Sequence, residues 1–214
     1  MDKSACGVAT AAHVVKHADE WFEPIKIRNS SGMLFLPADK RYMFVDNNSD
    51  SAIIFFFKSE LNFPELPITL RPIGSPCGIG SEIGWVGYPV IDPDTLCFFS
   101  GTISARKESE RAYNIDGVAI NGISGGPVFH LPTPDPNDMQ IIGAISAYRP
   151  NMFSGQPLPG LAQARDVSHF HAIASHIESI DQANAAKIQF DIDSAPQAGT
   201  APQIARSEGT TGSK

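Results

Sequence analysis

The segment Asn121-Gly122-Ile123-Ser124-Gly125-Gly126-Pro127 sets one hydroxyl in a stretch of backbone that almost no other side chain crowds. Glycines on both sides of Ser124 allow a tight turn, so successive N–H groups can converge beside the serine oxygen. An oxyanion would form at that point. The chemistry this suits is acyl transfer, in which a serine attacks a carbonyl and preorganised donors take up the developing charge. For a bare Gly-x-Ser-x-Gly, a plain glycine-rich turn is the competing reading.

The deciding stretch lies upstream. In Ala9-Thr10-Ala11-Ala12-His13-Val14-Val15 a histidine follows Thr-Ala-Ala and precedes an apolar pair. Together with the distant Gly-x-Ser-Gly-Gly-Pro, it strongly resembles the trypsin-like (chymotrypsin-fold) serine peptidases of the bacterial, HtrA-like type. The resemblance implies a triad with His13 as general base and Ser124 as nucleophile, and an oxyanion hole made by the N–H groups of Gly122 and Ser124. It implies a polypeptide substrate and neither cofactor nor metal. The orienting aspartate of that family precedes a short apolar strand, and Asp50-Ser51-Ala52-Ile53-Ile54-Phe55 has this pattern. Asp46, the near competitor, lacks the Ala-Ile-Ile continuation.

Chain order gives a separate check. The serine segment also fits the nucleophile elbow of the α/β-hydrolases, whose catalytic groups run serine, acid, histidine. An elbow must lead into a helix, whereas Pro127-Val128-Phe129-His130-Leu131 is short, β-branched and aromatic, and reads as a strand. The order His13, Asp50, Ser124 is the chymotrypsin one.

Further motifs carry the resemblance along the chain: Val86-Gly87-Tyr88-Pro89, then Ser100-Gly101-Thr102, then the apolar stretch Ile141 to Tyr148. In the family this last strand pairs with bound peptide by β-addition, and Ser146, Ala147 and Tyr148 match those positions. Val118, six residues before Ser124, matches the base of the specificity pocket. With no aspartate there, a basic side chain would find no buried partner, which implies small or medium apolar residues at the cleavage point; Tyr148 is expected to narrow the pocket mouth. Ile123 replaces the aspartate that, in secreted relatives, pairs with a newly cut N-terminus, so activation by that ion pair is not expected.

The elements that must position these groups read as short strands. Residues 24–28 and 33–36 form a hairpin around Asn29-Ser30-Ser31-Gly32, residues 41–45 and 52–57 two further strands, and a short helical segment follows His13. Pro64, Pro67, Pro72 and Pro76 mark a connection between two halves. The expected fold is all-β: two six-stranded antiparallel Greek-key barrels, with the first incomplete at the N-terminus because only Cys6 to Thr10 precede the histidine corner. The expected boundaries are a peptidase domain over 1–180, with barrels at about 1–72 and 77–165 and a helix over 166–180, and a disordered tail over 181–214 without room for a PDZ domain. Val167, Phe170, Ile173, Ile177 and Ile180 would line one face of that helix. His169, His171 and His176 lack the spacing of metal ligands and read as a solvated polar face.

With 214 residues and 42% hydrophobic residues, the chain can bury a substantial core. Its 16 Lys and Arg against 23 Asp and Glu give a net charge of −7, which excludes the basic stripe of a nucleic-acid binder. No apolar run reaches membrane-spanning length. The start Met1-Asp2-Lys3-Ser4 lacks a secretory signal, so the chain as written is expected to be cytoplasmic. Cys6, Cys77 and Cys97 suggest free thiols rather than a disulfide framework. Two functions remain open: a serine endopeptidase, and a catalytically silent module that captures extended peptides in the same groove.

Overall fold

A computed structural model describes residues 5–29, 32–57, 69–153 and 155–194. The chain divides into two units, Met1–Ser175 and His176–Lys214. The first holds every strand among the described residues. Its N-terminal part contains β1 (Ala5–Thr10), α1 (Ala12–Glu20), β2 (Ile25–Asn29), β3 (Gly32–Leu36), β4 (Arg41–Asp46) and β5 (Ser51–Phe57). Strand β5, apolar and rich in β-branched and aromatic residues, lies between β1 and β4 in a three-stranded antiparallel sheet, while β2 and β3 form a separate hairpin. Among the described residues this part is not a closed barrel. Ala12, Val15, Leu36, Ala52, Ile54 and Phe56 form its core.

Next come β6 (Thr69–Leu70), β7 (Glu82–Gly87), β8 (Cys97–Lys107), β9 (Ala112–Gly117), β10 (Pro127–His130), β11 (Gln140–Phe153) and β12 (Gln156–Asp166). Strands β7, β8 and β9 run as a meander, and β10 returns beside β7, which is a Greek key. The pairing of β10 with β11 then closes a six-stranded antiparallel barrel in the order β10-β7-β8-β9-β12-β11. Closure leaves no open edge on these six strands over their paired lengths. Trp85, Ile103, Ile115, Val128 and Ile142 fill the interior and are fully buried. Tyr113 brings a polar tip into this core. Its hydroxyl donates to Asp166 Oδ2 at 2.7 Å and accepts the Cys77 N–H at 3.1 Å, so the buried phenol is satisfied.

Helix α2 (Ser168–Ser194) begins in the first unit and continues into the second. It runs fourteen residues past Ile180, where the apolar periodicity ends. Ala183, Ala185 and Ala186 favour helix intrinsically, so the helix outlasts its amphipathic pattern; residues 195–214 lie outside the described residues. The solvated-histidine reading is corrected for two of the three. His169 is buried and its Nε2 donates to the Glu110 carbonyl at 3.2 Å, while His171 Nε2 donates to the Arg71 carbonyl at 3.0 Å. Each ring satisfies a loop carbonyl, a use that helical spacing does not reveal. No helix among the described residues is long and apolar enough to cross a membrane.

Candidate active site

His13 lies in the first turn of α1, where backbone N–H groups lack helical partners. Ala11, at the cap position, has no side-chain oxygen to supply one. Asp50 supplies the acceptors instead: its carbonyl takes the Ala12 N–H at 3.1 Å and its Oδ1 takes the His13 N–H at 3.0 Å. The same carboxylate receives His13 Nδ1, at 2.9 Å to Oδ2 and 3.0 Å to Oδ1. A carboxylate can only accept, so Nδ1 carries the proton and the Nε2 lone pair is left for chemistry. Asp50 adopts φ +50°, in the left-handed region that aspartate tolerates better than most residues. Asp46 is occupied elsewhere. It accepts the Asn48 and Ser49 N–H groups and the Ser49 hydroxyl, which closes the turn into β5 and, through that hydroxyl above all, holds its carboxyl below the usual range.

Ser124 lies on the turn between β9 and β10. Its neighbour Ile123 is almost fully buried in the barrel core and packs against Gly87, where an added Cβ would come within 2.9 Å of it. An apolar anchor therefore occupies the position directly before the serine. On the other side of the serine, Gly125 has φ +82° and donates to the Ile145 carbonyl at 2.6 Å, while Ile145 donates to Gly126 at 2.9 Å. A side chain at Gly125 would overlap Thr10 Oγ1, so the serine turn rests directly on the residues leading to His13.

The amides of this turn divide into engaged and unengaged donors. Ile123 donates to Ile120, Gly125 to Ile145 and Gly126 to Ile123, whereas the N–H groups of Gly122 and Ser124 find no acceptor among the described residues. Gly122 has φ +97° and packs against Tyr88 and Val90, whose N–H donates to the Asn121 carbonyl at 2.7 Å. Among the described residues, no hydrogen bond joins Ser124 Oγ to His13.

Ser146 has a role that sequence reasoning missed. It is the extra residue of a β-bulge, since Ile145 pairs with Ala164 and Ala147 with Gln163. The bulge turns its side chain inward, where its hydroxyl donates to Asp50 Oδ2 at 2.8 Å. No local signal marks a bulge within Ile-Ser-Ala-Tyr. The pairing of β10 with β11 ends at Pro127 and Ala144, so Ser146, Ala147 and Tyr148 run along an edge with no strand partner on that side among the described residues. The Tyr148 hydroxyl accepts the Gly160 N–H at 2.7 Å, which ties the ring to β12. Val118 is exposed at the end of β9.

Residues 3–133 match the model of the trypsin-like peptidase domain. The chain belongs to the trypsin-like serine peptidase family. No curated protein sequence matches it. Among solved structures, this trypsin-like domain is similar to the serine endoprotease from Yersinia pestis, with 18% identity and a TM-score of 0.56 over 79% of this chain and 53% of that one. It thus spans about half the length of that protein, and at this identity the likeness is one of fold.

Proposed function

We propose that this trypsin-like domain is a serine endopeptidase acting through His13, Asp50 and Ser124. The observation that carries the reading is the conjunction of a His13–Asp50 couple with its Nε2 free and a glycine turn whose unengaged N–H groups flank the serine. Nε2 takes the proton of Ser124 as its oxygen attacks the scissile carbonyl, and Asp50 stabilises the resulting imidazolium and fixes its tautomer. Charge on the carbonyl oxygen is met by the N–H groups of Gly122 and Ser124. The imidazolium then protonates the leaving amine, and water activated by the same base releases the acyl group from Ser124.

The substrate is a polypeptide bound in extended form along Ser146, Ala147 and Tyr148, adding a strand to the open edge of β11. Val118 offers no charge to a basic side chain, so the residue before the scissile bond is small or medium and apolar. Tyr148, held by Gly160, limits its size. Peptide capture without turnover has one observation in its favour, the missing bond between Ser124 and His13. That bond is often long in unliganded enzymes and tightens with substrate, so its absence here does not count against turnover. Incubation with a peptide library, read by mass spectrometry against Ser124→Ala, tests the assignment. Cleavage after alanine, valine or leucine is expected only with the serine present; cleavage after lysine or arginine would contradict the pocket reading, and cleavage by Ser124→Ala would contradict the nucleophile.

A further inference from the structure

The free N–H of Gly122 owes its direction to the other end of its peptide unit. In a planar trans peptide, the carbonyl and the following N–H point opposite ways. Val90 N–H holds the Asn121 carbonyl at 2.7 Å, so the Gly122 N–H is turned toward the opposite side, away from Val90. Without that bond, a glycine at φ +97° has ample freedom to rotate, because glycine populates both signs of φ. Val90 belongs to the segment 88–96, between β7 and β8, which is built on two turns of its own, Asp92 N–H to Pro89 and Thr95 N–H to Asp92. Pro89 is fully buried and fixes the start of the segment, but beyond it the apolar side chains Val90, Ile91 and Leu96 are exposed and contribute little burial.

One residue of the N-terminal part reaches this segment at two points. Arg28, near the tip of the β2–β3 hairpin, donates Nη1 to Asp94 Oδ1 at 3.2 Å and sets its guanidinium 5.8 Å from the centre of the Tyr88 ring. Tyr88 is itself in the wall against Gly122, since a Cβ there would lie 2.6 Å from the Tyr88 carbonyl oxygen. The path is continuous: hairpin, Arg28, Tyr88 and Asp94, Val90, Asn121 carbonyl, Gly122 N–H.

We propose that Arg28 is a positioning residue for the oxyanion hole, acting across the two halves of the domain through the 88–96 segment. The proposal rests on the endopeptidase reading for its kinetic consequence, but not for its structural one. Loss of Arg28 loosens the segment, lets the Asn121–Gly122 peptide leave its productive orientation, and lowers kcat while the substrate edge on β11, and hence KM, is untouched. Both contacts are solvent-exposed, and pairs of this kind bring a loss of about threefold to tenfold rather than an abolition of activity.

The test measures two quantities in Arg28→Ala, Asp94→Asn, the double variant and Arg28→Lys. The first is amide hydrogen exchange of Val90 by NMR, made in the Ser124→Ala background so that it does not depend on turnover; the second is kcat and KM on a cleaved peptide. Expected are faster Val90 exchange, a parallel fall in kcat at constant KM, a double variant no worse than Arg28→Ala, and partial rescue by lysine, which keeps the charge but not the planar stacking. Unchanged Val90 exchange in Arg28→Ala overturns the proposal, as does faster exchange with kcat held. A protein with no turnover at all defeats the endopeptidase reading instead, and the exchange data then decide on the tether alone.

Discussion

Six strands close on themselves between Glu82 and Asp166, whereas between Ala5 and Phe57 a three-stranded sheet and a two-stranded hairpin stand as separate sheets among the described residues. The barrel supplies Ser124 and both candidate oxyanion donors. Its interior side chains are almost wholly excluded from water, and Ile123, next to Ser124, is one of them. The N-terminal sheet supplies His13 and Asp50, yet Val8, Ile25, Ile27, Leu34, Met43 and Val45 around its core are only partly covered. His13 and Asp50 thus sit on the less enclosed half. That half is joined to the barrel by contacts reaching across: Ser146 to Asp50, Gly125 against Thr10, and Arg28 to Asp94. The closed barrel acts as the reference frame against which the other half is aimed.

That contrast can be broken most severely at Asp50. Asp50→Asn keeps the shape but disturbs the His13 tautomer, and kcat is expected to fall about 10⁴-fold, with Asp46→Asn costing far less. Steady-state kinetics of the two variants decide, and equal or reversed losses would refute the assignment. Next in size is a matched pair of core truncations. Ile115 in the barrel and Ile54 in the sheet are both buried. Alanine at 115 should cost about 4 kcal/mol, because a closed wall cannot relax into the cavity, and alanine at 54 nearer about 2 kcal/mol, because an open sheet can. Equal destabilisation in urea would show the two halves to be equally well enclosed. Ser146→Ala removes the cross-link from β11 to Asp50; for a hydrogen bond to a carboxylate, kcat should fall roughly ten- to a hundredfold with KM nearly constant. A rise in KM alone would make Ser146 a substrate contact and nothing more.

The smallest effect concerns pH. His169 is held below its ordinary value, chiefly by burial, so the folded protein binds that proton less readily than the unfolded chain does. Its contribution to stability is complete above the unfolded value of about 6.5 and is lost as pH falls below it toward the folded value. The melting temperature should drop between pH 7.5 and 5.5, and His169→Gln should flatten that drop. A slope unaltered by the substitution would place the pH sensitivity elsewhere.

The candidate site was legible in the sequence where its motifs are local. Glycines around Ser124, the Thr-Ala-Ala-His corner and the apolar run after Asp50 are each contiguous in sequence, and the 24–36 hairpin and β5 were legible for the same local reason. What escaped is long-range. The Ser146 hydroxyl reaches Asp50 only because a bulge rotates it, and a bulge depends on pairing with β12, far along the chain. Likewise, His169 and His171 turn inward to loop carbonyls that helical spacing cannot foresee. The full length of α2 escaped for another reason, since alanine-rich helix needs no apolar stripe to continue.

The central claim is that Ser124 is an activated nucleophile aimed by a couple from the other half of the domain. Reaction with a fluorophosphonate, followed by peptide mapping, measures this most directly, because the reagent requires an activated serine beside an oxyanion hole. Stoichiometric modification at Ser124, lost in Ser124→Ala and strongly slowed in His13→Ala with the fold intact, is the predicted result. Modification of a different serine, or none in a folded protein, would contradict it.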